Sequence, residues 1–106
     1  MAFEIPNLKF PVRTRYLICY DICHPKRLRR VAKAMEGYGV RLQYSVFECA
    51  LDEKRYRKME AELHPLLNHE EDQVLFVSLG PEDSSHSLRI EAMGLPYLVR
   101  SRVTIV

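Results

Sequence analysis

Tyr16-Leu17-Ile18-Cys19-Tyr20-Asp21-Ile22 is apolar on both faces of an extended chain until one carboxylate interrupts it. Side chains alternate along a strand, so Tyr16, Ile18, Tyr20 and Ile22 share one face and Leu17, Cys19 and Asp21 the other. A strand apolar on both sides is covered on both sides, which predicts a central position in a sheet. Asp21 stands at its carboxyl end, where sheets of α/β type tend to place ligands. The plainer reading is an Asp that closes the strand through an Asx-turn.

A basic helix follows. Pro25 suits a first-turn position, where its missing N–H costs nothing. Leu28, Val31, Ala32, Met35 and Tyr38 form one apolar stripe at helical spacing. Lys26, Arg27, Arg29, Arg30 and Lys33 occupy the remaining surface. Gly37-Tyr38-Gly39 is expected to end the helix, with a glycine for a left-handed cap.

Beyond it, Val40–Leu51 reads as one amphipathic strand. Val40, Leu42, Tyr44 and Val46 alternate with Arg41, Gln43, Ser45 and Phe47. Asp52 is the expected N-cap of a second helix, with Tyr56, Met59, Leu63, Leu66 and Leu67 on its buried face. Pro65 should end that helix near His64. Gln73–Leu79 reads as a third strand apolar on both faces, broken by Gly80-Pro81. Glu82–Ser87 is then a polar loop, Leu88–Met93 a short strand, Gly94-Leu95-Pro96 a turn and Tyr97–Val106 a last strand.

The expected fold is α+β, a ferredoxin-like βαββαβ sandwich with a C-terminal strand. Strands one and three of that topology are central, and Tyr16–Ile22 and Gln73–Leu79 are assigned to them. Residues 1–14 form an irregular arm, 15–94 the domain, and 95–106 a strand available to a partner subunit. Two helices cover only one face of the sheet. The other, bearing Leu17, Cys19 and Leu75, calls for a homodimer packed sheet to sheet.

The chain has 106 residues, the size of one domain. No apolar run approaches the ~18 residues of a membrane span. Met1–Pro6 lacks the basic start and apolar block of a signal peptide, so a cytoplasmic location is expected. Three cysteines close no disulfide framework. Cys19 and Cys23 lie roughly 13 Å apart along a strand, too far to share a tetrahedral zinc. Charge is unevenly spread: residues 13–41 carry eight Lys/Arg and two Asp/Glu, residues 42–94 five and eleven. That asymmetry fits a polyanion-binding face on the N-terminal half, although helices also wear charge simply as a solvated surface.

One carboxylate is too few for a tight magnesium site, but a dimer brings two copies of Asp21 together, and a divalent cation relieves their repulsion. Such a cation polarises a phosphodiester. Arg27, Arg29, Arg30 and the face Arg41-Gln43-Ser45 are candidate phosphate contacts, because the guanidinium fork contacts phosphate bidentately. Tyr20 and Phe47 are candidate stacking partners for bases, against the plainer reading of Tyr20 as core. His24, His64, His69 and His86 pair with no nucleophile at a recognisable spacing.

The segments Tyr16–Ile22, Arg29-Arg30-Val31-Ala32-Lys33 and Gly37-Tyr38-Gly39-Val40-Arg41-Leu42-Gln43-Tyr44-Ser45-Val46-Phe47-Glu48 together resemble the second family of CRISPR-associated proteins. These are small endoribonucleases of spacer adaptation, and the match spans about Arg15 to Leu79. The resemblance implies a ferredoxin-like homodimer whose terminal strand joins the partner's sheet. It implies Mg²⁺, with Mn²⁺ as a substitute, bound by Asp21 from both subunits. It implies cleavage of single-stranded RNA or double-stranded DNA, and a place between two dimers of the CRISPR integrase. Tyr20 and Asp21 match catalytic positions, and Arg30, Arg41 and Phe47, with Ser45 beside them, match nucleic-acid-handling ones. The alternative readings are a non-catalytic dimeric scaffold for duplex DNA, and a ferredoxin-like ligand-binding or regulatory module. An acylphosphatase is disfavoured because Cys23-His24-Pro25 is no glycine-rich anion loop. An RNA-recognition motif is disfavoured because Gln73–Val77 lacks its aromatic pattern.

Overall fold

A computed structural model of the chain describes residues 12–82 and 90–98. The strand that opens the sequence reading is β1, Thr14–Asp21. It is followed by α1 (Pro25–Met35), β2 (Gly39–Gln43), β3 (Val46–Leu51), α2 (Glu53–Leu63), a short 3₁₀ turn at His64–Leu66, and β4 (Gln73–Pro81). The sheet order is β2-β3-β1-β4, antiparallel at every β1–β3, β1–β4 and β2–β3 pairing. This is the βαββαβ ferredoxin-like arrangement.

Three readings of the strands are corrected. Val40–Leu51 is a hairpin, not one strand: Gln43 pairs with Val46 around a turn at Tyr44-Ser45, and the register shifts between Arg41 and Gln43. The irregularity at Leu42 and the turn interrupt period-two counting. Arg41 pairs with Phe47, and Phe47 is buried on the helix-covered side. The strand beside β1 in the centre is therefore Val46–Leu51, and Gln73–Pro81 is an edge strand in the single chain. Gly80-Pro81 does not break that strand. Gly80 takes φ 95, a region open to glycine at little cost. The register slips there, and Pro81 still faces Thr14 on the edge, where a missing N–H is tolerated.

The helices form where their caps and stripes place them. His24 caps α1 by accepting the Lys26 N–H at Nδ1 (3.2 Å), and Asp52 caps α2 by accepting the Arg55 N–H (2.7 Å). Val31 and Met35 of α1 and Met59 and Leu63 of α2 are fully buried against Ile18, Tyr20, Phe47, Cys49 and Leu51 of the sheet. Helix α1 ends without the expected left-handed glycine: Gly80 and Gly94 are the only described residues at positive φ. Gly39 is instead required by a close approach, since a Cβ there would collide with the Glu48 carbonyl and Cys49 Sγ.

The far face of the sheet is open over β4, while residues 90–98 line a hollow with Leu17, Leu42 and Val46 beside it. Leu75, Val77 and Leu79 are 48%, 42% and 40% exposed, and their ladder partners Cys19 and Leu17 share that face. Residues 90–98 contain no strand among those described, so the expected strand over Leu88–Met93 is not formed at residues 90–93. The arm over 1–11, most of the polar loop (83–87) and the last strand beyond Leu98 lie outside the described residues. Thr14, assigned to the arm, opens β1.

Candidate functional site

Strands β1 and β2 run parallel across β3, so their carboxyl ends lie at one end of the sheet. That end gathers Asp21, the Tyr44-Ser45 turn, the start of β4 and, through Ile22-Cys23-His24, the N-terminus of α1. Asp21 is exposed and faces Gln73 across the β1–β4 ladder. Its carboxylate has no hydrogen-bond or ion-pair partner among the described residues.

The backbone around Asp21 is fixed on both sides. On one side the Tyr20 N–H donates to the Ser45 carbonyl (3.0 Å), tying the hairpin turn to β1. On the other, the Cys23 N–H donates to Asp72 Oδ1 (2.9 Å) and Cys23 Sγ donates to the Glu71 carbonyl (3.0 Å). Asp72 is the hub. It also accepts from the Asn68 N–H (2.8 Å) and from Arg27 Nε (2.7 Å), and its side chain is shut off from solvent. The Arg27 guanidinium and these two backbone N–H groups hold the Asp72 carboxyl well below the usual carboxylate range.

Arg27 is thereby removed from the list of free phosphate contacts. Its guanidinium is engaged by Asp72 and, at 2.8 Å, by Glu71. The free cations of α1 are Lys26, Arg29, Arg30 and Lys33, which line a shallow hollow of about 300 Å³. Arg30 thus stands where the sequence reading placed it, on an exposed basic face.

Arg41 does not project into solvent from an open face, as an alternating strand would have it. Its guanidinium carbon lies 5.3 Å from the Phe47 ring centroid and 5.8 Å from that of Tyr44, and its Nε is buried without a hydrogen-bond partner. Tyr20 and Phe47 are 5% and 1% exposed, with ring centroids 6.2 Å apart. No base reaches either ring without repacking the core, so their assignment as stacking partners fails on burial. Burial pushes the Tyr20 phenol above its ordinary range, and the neighbouring Arg41 guanidinium pulls part of that back. Tyr20 is therefore a neutral donor that holds the Tyr44 carbonyl (3.3 Å). Ser45 is half-buried in the turn and acts through its carbonyl. Sequence reasoning missed Asp72, 45 residues from Arg27 in the chain, because no local spacing signals such a pair.

A divalent cation is a test of this end of the sheet. Carboxylate oxygen is the right ligand for Mg²⁺ or Mn²⁺, and Asp21 presents one that is exposed and unclaimed. No group of three or more potential ligands occurs among the described residues. One chain therefore supplies one carboxylate. That set fits a cation shared between two copies, since Mg²⁺ takes one or two carboxylates and completes its shell with water and phosphate oxygen.

These features define a class: a ferredoxin-like α+β sandwich with a lone carboxylate at the end of its central strand, beside a basic helix. The model of the family described as CRISPR associated protein Cas2 matches residues 14–86. A CRISPR-associated endoribonuclease Cas2 from Geobacter sulfurreducens is 48% identical over 69 residues, 65% of this chain and 73% of the relative. One from Rhodospirillum rubrum is 40% identical over 91 residues, 86% of this chain and 88% of the relative. A chain of a solved partial Cas6-RT-Cas1–Cas2 complex superposes with a TM-score of 0.59 at 30% identity, over 81% of this chain and 97% of that one. The chain belongs to the Cas2 family of CRISPR-associated proteins.

Proposed function

We propose that this chain is a CRISPR adaptation nuclease that works as a homodimer, cleaves phosphodiesters with Mg²⁺ or Mn²⁺ held by Asp21 from two copies, and partners the CRISPR integrase. The observation that carries the reading is the exposed, unclaimed Asp21 at the end of the central strand, next to the N-terminus of a basic helix. The relatives named above carry endoribonuclease in their names, and the Cas1–Cas2 complex supports the integrase as partner. The exposed apolar side chains Leu75, Val77 and Leu79 of β4 favour a second copy packed sheet to sheet. The bound cation supplies Lewis acidity at the phosphodiester. Arg29, Arg30, Lys26 and Lys33 hold phosphates and carry no sequence information. The Asp72 and Ser45 contacts keep Asp21 in place.

The test is cleavage of labelled single-stranded RNA and duplex DNA by wild type and Asp21→Asn in Mg²⁺. Asp21→Asn should abolish cleavage; cleavage that persists in purified Asp21→Asn overturns the reading. Changing Arg29 or Arg30 to Ala should weaken binding across sequences and reduce the salt slope by about one each.

The independence of the basic α1 face from Asp21 favours a second reading, a non-catalytic scaffold that holds duplex DNA for the integrase. Under it, Asp21→Asn supports spacer acquisition and Arg29→Ala with Arg30→Ala does not.

A further inference from the structure

We propose that Tyr44 is the residue on which an unpaired base of a bound single strand stacks. This rests on the reading of the chain as a nucleic-acid-handling protein and adds a contact that distinguishes unpaired from paired strands. Tyr20 and Phe47, the aromatic residues closest in sequence to this end of the sheet, are sealed in the core. Tyr44 is 71% exposed, at the tip of the β2–β3 turn. Turn positions favour Gly, Asn, Asp and Ser, so a large apolar ring there is not explained by turn chemistry.

The ring is also held. Its carbonyl accepts the Tyr20 hydroxyl, and the next carbonyl, of Ser45, accepts the Tyr20 N–H. The platform is thus pinned to β1 at the residue preceding Asp21. Arg41 lies over the ring at 5.8 Å, backed by Phe47 at 5.3 Å. A guanidinium on one side fixes the ring and adds positive charge beside it, while the rest of the ring stays open to solvent. A fixed aromatic face with a neighbouring cation, next to a basic helix, is the chemistry that receives a base and its phosphate. Stacking accepts any base, since every base has a π-face, but a base inside a duplex does not present its face.

The experiment measures binding of fluorescein-labelled oligouridine and of a duplex DNA to wild type, Tyr44→Ala and Tyr44→Phe in EDTA, where cleavage is off. Tyr44→Ala should bind oligouridine about ten-fold more weakly, Tyr44→Phe within about two-fold of wild type, and duplex binding should stay unchanged in both. The exposed position leaves the fold intact, which thermal unfolding checks. If wild type binds oligouridine and Tyr44→Ala binds equally well, the stacking assignment is wrong and the nucleic-acid reading survives. Equal loss of oligouridine and duplex binding also overturns the assignment, as does a changed dimer mass in Tyr44→Ala, which would make Tyr44 an interface residue. Wild-type protein that binds neither probe at low salt overturns both.

Discussion

Replacing Phe47 separates packing from recognition. At 1% exposure, Phe47 touches the Tyr20 ring and supports the Arg41 guanidinium at 5.3 Å. Phe47→Ala leaves a cavity in the middle of the core and should cost about 3–5 kcal/mol. A further ~0.5–1 kcal/mol goes with the lost cation–π contact. Against a total of about 5–15 kcal/mol for a domain of this kind, that is about a quarter of the stability or more. At roughly 4–8 °C per kcal/mol, the melting temperature should fall by about 14–48 °C, or the protein should not fold. Phe47→Leu keeps most of the volume and should cost about 1–2 kcal/mol. The assay is thermal unfolding by circular dichroism, paired with oligouridine and duplex binding well below the transition. Phe47→Leu should melt lower and bind both probes as wild type does. A Phe47→Leu protein with wild-type melting and lost binding would refute the core assignment and return Phe47 to the nucleic-acid surface.

Two further substitutions and one titration follow from the same contacts. Gly39→Ala forces a Cβ into the Glu48 carbonyl and Cys49 Sγ and should cost ~1–3 kcal/mol in unfolding experiments, whereas Gly37→Ala meets only the Ala34 carbonyl at 3.5 Å and should be tolerated. Asp72 has its folded-state pKa depressed, so its contribution to stability is complete above the unfolded carboxylate value of about 3.9 and is lost as pH falls from there toward the folded value. The melting temperature of wild type should therefore drop with acidification below about pH 4. Asp72→Asn should start lower at neutral pH and lose that part of the acid slope.

Much of the fold was legible because its signals are local. The two-sided strand at Tyr16–Ile22, the α1 stripe, the Asp52 cap and the Pro65 stop need only neighbours in sequence, and each stands as read. The hairpin was hidden because Tyr44 and Ser45 extend the apolar–polar alternation through the turn, with no glycine to mark it. Arg41 and Phe47 do share a face, as the alternation has it, but that face is the helix-covered one rather than the solvent one. The edge position of β4 was hidden by its apolar outer residues Leu75, Val77 and Leu79, which reflect a face this chain leaves uncovered rather than a central place. At the site, Asp21 was readable as an odd carboxylate in an apolar run. The role of Arg27 was not, because its partner comes from the far half of the chain.

That partnership gives the uneven charge of the sequence a physical sense. The acidic half does not merely offset the basic one; it sends Glu71 and Asp72 to a single guanidinium of α1. Neutralising Arg27 costs the basic face one cation, yet the same Asp72 carboxylate holds the Cys23 N–H two residues past Asp21. With Gln73 next in the chain and paired to Asp21 across the ladder, one acidic turn sets the position of the candidate metal ligand from both its strand neighbour and its following backbone. Lys26, Arg29, Arg30 and Lys33 stay open to solvent on the helix surface. Under the proposed function, altering the four exposed cations should therefore change phosphate affinity without moving Asp21, whereas any change at Arg27 or Asp72 acts on the carboxylate's placement first.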